Sequence, residues 1–176
     1  MNIDINHSKF IGIMQGRLSR RIGDKIQSFP INDWEKEFQL AAEIGYSCIE
    51  WVIDSNEVEN PIFSNEKRKV IHNLMENYNI SIPAICHDQL MDMPLHSKNQ
   101  NSSRLAIKIL RKTIDACENL GVKFIEIPLV GNGSLLDEED NQKLIDQLAR
   151  LDNQAKDSGI SFILETDLTP ELNASL

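Results

Sequence analysis

Ile160-Ser161-Phe162-Ile163-Leu164-Glu165 is a short apolar run that follows Gly159 and ends on a carboxylate. It is the fifth such run in the chain. Helix-like stretches stop at Gly45, Asn79, Gly121 and Gly159, residue types that tolerate the left-handed conformation closing a helix. Each stop is followed at once by an apolar segment: Tyr46-Ser47-Cys48-Ile49-Glu50, Ile80-Ser81-Ile82-Pro83-Ala84-Ile85, Val122-Lys123-Phe124-Ile125-Glu126, and the run from Ile160. The stops lie 34, 42 and 38 residues apart. Phe10-Ile11-Gly12-Ile13-Met14 supplies a first strand.

Apolar runs without alternation suit strands covered on both faces, and their alternation with helices implies parallel β/α units. Between them, Trp34, Phe38, Ala41 and Ala42 follow helical spacing, with Asn32 and Glu35 as a capping-box-like start. Val70, Ile71, Leu74 and Tyr78 mark a second helix. Ala106, Ile109, Leu110, Thr113, Cys117 and Leu120 mark a third, and Leu144, Leu148, Leu151 and Ala155 a fourth. The reading is an α/β chain of five parallel strands and four helices. A closed (β/α)8 barrel needs about 250 residues, and this chain has 176. The expected architecture is therefore an incomplete TIM-barrel type over residues 10–176, after a polar tail of residues 1–9.

Composition narrows the partners. Hydrophobic residues are 41% and charged residues 26%, ordinary globular usage. No apolar run reaches the roughly 18 residues of a membrane helix, and the polar start lacks the apolar centre of a signal peptide. Cys48, Cys86 and Cys117 are scattered and odd in number, which favours reduced thiols and a cytoplasmic location. The net charge of −9 argues against nucleic acid, whose binding relies on clustered Lys and Arg.

Function is expected where strands end, because barrel active sites are assembled at that face. Met14-Gln15-Gly16-Arg17-Leu18-Ser19-Arg20-Arg21 follows the first strand. Its arginines suit an anionic substrate such as a sugar phosphate, Arg17 foremost, although a solvated basic loop would read the same way. Glu50 and Asp54 flank Trp51 after the second strand, where a salt bridge or cap is the expected role. Cys86-His87-Asp88 follows the third. His87 is a candidate substrate-binding residue, but neighbouring strand side chains point to opposite faces, so His87 and Asp88 are not expected to work as a pair. His7, His72 and His96 carry no such expectation. Gly131-Asn132-Gly133-Ser134 reads as a turn before the fourth helix. Glu165, at the tip of the fifth strand, is the leading candidate for catalysis or metal binding by its position.

Met14-Gln15-Gly16-Arg17-Leu18, Ile26-Gln27-Ser28-Phe29-Pro30, residues 34–38, Ile49-Glu50-Trp51, Asn60-Pro61 and Leu164-Glu165-Thr166-Asp167 together resemble the sugar phosphate isomerase/epimerase family of xylose-isomerase-like TIM barrels. The resemblance runs from about Phe10 to Pro170. It implies a divalent metal (Mn, Mg, Zn or Co) held by Glu165 and by residues of later strands, and proton transfer on a sugar phosphate through an enediolate. It also implies that the isolated chain is inactive, and that it either self-associates, without restoring the site, or meets a partner chain that supplies the missing strands. Two alternatives stand beside it: a non-catalytic remnant or one part of a split barrel, and a flavodoxin-like small-ligand binding module, which also has five parallel strands.

Overall fold

The structure, a computed structural model, describes residues 10–23, 27–54 and 59–169. The N-terminal tail, Ile26 and the stretch from Pro170 lie outside the described residues.

Five strands, β1 (Gly12–Met14), β2 (Cys48–Val52), β3 (Ala84–Cys86), β4 (Phe124–Leu129) and β5 (Ser161–Thr166), form one parallel sheet in sequential order. Each strand adds beside the last. This is barrel order; the flavodoxin-like order 2-1-3-4-5 reverses direction within the sheet. The helices are α1 (Trp34–Ile44), α2 (Asn65–Tyr78), α3 (Gln89–Asp92), α4 (Gln100–Leu120), α5 (Glu138–Ala149) and α6 (Asp152–Asp157), with 3-10 turns at Pro61–Phe63 and Gly131–Gly133. The stops at Gly45, Asn79, Gly121 and Gly159 all have positive φ, so the punctuation read from sequence is the punctuation of the fold.

Several boundaries differ from expectation for local reasons. Pro83 has no N–H to give a ladder, so β3 starts at Ala84, while the Pro83 carbonyl accepts from Lys123 and Phe124. Strand β4 runs on to Leu129, which puts Glu126 inside the strand. Asn32 is not the cap of α1. The Pro30 carbonyl takes the amides of Asp33 and Trp34, and the helix begins after Asp33 without a side-chain cap. The expected fourth helix is two, because a tight turn at Arg150 and Leu151, closed by bonds to Gln147 and Leu148, lets Leu151 enter the core.

The two faces of the sheet differ. Ile49, Trp51, Ile53, Ile85, Ile125 and Ile127 are buried in the core that includes Phe38, Ala106, Leu110 and Leu144 of the helices. Burying each large side chain contributes roughly 1.5–3 kcal/mol. The other face is open along β4 and β5, while Val52 and Cys86 on it are buried. Phe124 is 41% exposed and Ile163 42%, and β5 alternates exposed Ser161, Ile163 and Glu165 with partly buried Phe162, Leu164 and Thr166. The strands were expected to be covered on both faces; in this chain the helices cover one.

Candidate active site

The open face carries carboxylates. Register pairs Cys86 with Glu126 and Pro128 with Glu165, and the hydrogen bond from the Cys86 thiol places Asp88, just past the end of β3, on the same side as Cys86. Glu50 lies opposite Met14 on β2. These acids act on one another. Glu50 is raised above the usual carboxylate range, first by burial and then by the charges of Glu126, Asp88 and Glu165. Glu165 is raised by burial, then by Glu126 and Asp88. Burial also raises Asp88, against the hydrogen bonds it accepts. Those come from the Cys86 thiol at 3.1 Å and from Gln27 Nε2 at 2.7 Å. The Cys86 thiol is itself held far above its ordinary value by burial and by Asp88.

His87 is elsewhere. Its ring is fully buried on the helix side, with Nε2 3.1 Å from Thr113 Oγ1 of α4. The Thr113 hydroxyl donates to the Ile109 carbonyl, so its lone pair is left to accept from His87 Nε2–H. Burial pushes the imidazole down to about 4, leaving it neutral near pH 7. His87 and Asp88, both just past the end of β3, thus point to opposite sides of the sheet, and His87 does not join the acidic face.

Arg17 lies in the long β1–α1 connection. With Gly16, Arg20, Arg21, Ser28 and Pro30 it lines a cleft of about 180 Å³. Two contacts anchor the other part of this connection. Phe29 N–H donates to Asp54 Oδ2 at 3.1 Å, and Gln27 reaches Asp88. One connection therefore joins the basic cleft to the acidic face. Next to it, Asn60 accepts from Trp51 Nε1 at 3.0 Å and donates to the Val52 carbonyl at 2.9 Å, which ties the loop after β2 to the strand end.

Sequence reasoning missed Glu37. It is 1% exposed and accepts the amides of Gly16 and Leu18. Its signal was present, since position 37 falls on the buried stripe of Trp34, Phe38 and Ala41, but its charge kept it out of the apolar count. Glu126 and Asp88 were also passed over, because their convergence depends on register.

The model of the xylose isomerase-like TIM barrel family matches residues 38–174. The chain belongs to that family. An L-ribulose-5-phosphate 3-epimerase of Escherichia coli (strain SMS-3-5) is 23% identical over 96 residues, covering 53% of this chain and 34% of that protein. Among solved structures, the E. coli 3-keto-D-glucoside 4-epimerase superposes with a TM-score of 0.64 at 14% identity, over 88% of this chain and 55% of that one. A family protein from Mycobacterium smegmatis, solved in complex with magnesium, gives 0.62 at 15% identity, over 90% and 55%. The chain spans about half the length of these structures and about a third of the curated relative. Among the described residues, no group of three or more His, Cys, Asp or Glu is arranged to hold a metal ion, and no helix is long and apolar enough to cross a membrane.

Proposed function

We propose that this chain carries the β1–β5 side of the active site of a sugar phosphate isomerase or epimerase, acting in the cytoplasm on a small phosphorylated sugar. The observation that carries the reading is the convergence of Glu50, Asp88, Glu126 and Glu165 on the open face, within mutual electrostatic reach. Glu50, Asp88 and Glu165, raised above the usual carboxylate range, are better matched to taking a proton near neutral pH. The chemistry is removal of the proton α to the sugar carbonyl and its return to the enediolate, on the opposite face for an epimerase.

Glu165 is the catalytic-site residue of this proposal and the carboxylate offered to a divalent cation. The described residues do not complete a cation site. Arg17 is proposed as the substrate phosphate contact, because it lines the basic cleft on the connection that reaches Asp88. His87 is proposed to act on the substrate only through the strand end that it fixes.

By itself the 176-residue chain is proposed not to turn over substrate, and the exposed Phe124 and Ile163 favour self-association or a chain that supplies further strands. The test is to purify the chain, measure its size in solution, and assay it with Mn2+ and a panel of ketose phosphates. A compact, active monomer would overturn this part of the proposal.

A further inference from the structure

The Gly16–Leu18 turn is gripped from two sides. From α1, Glu37 accepts Gly16 N–H with both oxygens, Oε1 at 3.1 Å and Oε2 at 2.9 Å, and Leu18 N–H with Oε1 at 3.1 Å. From the other side comes the segment of Ser28 and Pro30. Gly16 has φ +86°, and a Cβ there would sit 2.5 Å from the Ser28 carbonyl oxygen. Arg17 lies between the two amides that Glu37 holds. The protein's own carboxylate thus takes the amides on either side of Arg17, whose own N–H donates to the Met14 carbonyl, and Arg17, Arg20 and Arg21 are among the side chains that line the cleft.

We propose that Glu37 is a positioning residue for phosphate recognition, fixing the backbone on either side of Arg17 so that its guanidinium meets the phosphate in one orientation. The proposal rests on the reading of Arg17 as the phosphate contact. The two oxygens take three contacts from two N–H groups, and the shortest, Gly16 N–H to Oε2 at 2.9 Å, needs an acceptor at that place. In Glu37→Gln an NH2 group in place of Oε2 would set donor against donor at Gly16, and in place of Oε1 at both Gly16 and Leu18. A planar guanidinium gains much of its advantage from a preset direction, and a misdirected one loses bidentate contact with phosphate.

The test compares wild type with Glu37→Gln, Gly16→Ala and Arg17→Ala, measuring ribose 5-phosphate affinity by calorimetry, ribose as control, and amide exchange at Gly16 and Leu18. Gly16→Ala disturbs the same turn from the opposite side without touching the buried charge, and serves if Glu37→Gln does not fold. Glu37→Gln and Gly16→Ala are expected to speed exchange at the turn and to weaken ribose 5-phosphate binding about tenfold, the order expected for losing charge-assisted hydrogen bonds. Faster exchange with unchanged affinity would make Glu37 purely structural and overturn the proposal. Binding lost in Arg17→Ala but kept in the two turn variants would overturn positioning alone. No binding by wild type, or wild-type binding by Arg17→Ala, would overturn the phosphate reading and the positioning role with it.

Discussion

Gln27 Nε2 donates to Asp88 Oδ2 at 2.7 Å, joining the β1–α1 connection to the residue that follows β3 by two positions. The bond stabilises the charged form of a carboxylate that burial, Asp54 and Glu126 all push toward neutrality. Gln27→Ala is therefore expected to raise the Asp88 pKa further and to cost about 1–2 kcal/mol of stability. Carboxyl NMR titration and urea unfolding check the two effects, and an unmoved Asp88 titration would show that the contact is not made in solution.

Glu50 gives a pH dependence with a definite sign. Its folded value lies above the ordinary 4.5, chiefly through burial and then through Glu126, Asp88 and Glu165. A raised carboxylate favours the folded state below its unfolded pKa, and that contribution is lost as pH rises through the folded value. Glu50→Gln should therefore raise Tm at pH 7.5 relative to wild type, with the gain shrinking toward pH 4.5. Thermal melts of both proteins across that range are sufficient; a difference independent of pH would mean Glu50 is not electrostatically strained.

Asn60 is 3% exposed and satisfies both Trp51 Nε1 and the Val52 carbonyl. Asn60→Ala leaves a donor and an acceptor without partners inside the core. The expected loss is about 2–4 kcal/mol, or a fall in Tm of about 5–15 °C for a chain of this size. A loss below about 0.5 kcal/mol would imply that water replaces the side chain.

Glu165→Gln keeps the shape of the residue and removes the negative charge a divalent cation needs. In a completed eight-strand barrel, bound metal and turnover should both collapse, as measured by metal analysis and an epimerase assay. Arg17→Ala in the same barrel should raise KM for phosphorylated sugars more than for their unphosphorylated analogues. Unchanged metal content in the first variant, or equal effects on both substrates in the second, would remove those assignments.

The order of units was legible in the residues alone, because its signals are local. The helix stops at Gly45, Asn79, Gly121 and Gly159 mark positions of positive φ, and the apolar runs behind them become β2 to β5. His87 and Asp88 do have separate partners, as expected, but they lie past the end of β3, so their separation rests on those partners and not on strand alternation. Tertiary structure decided the rest. Helical spacing puts Glu37 on the buried stripe of α1, but what its carboxylate accepts there depends on a loop about twenty residues away in sequence folding beneath it, which periodicity does not report. The meeting of Glu50, Asp88, Glu126 and Glu165 depends on strand register, a sum of many weak pairings. The open face depends on which way successive units curl, so Phe124 and Ile163 read as core residues in sequence and stand exposed in the fold.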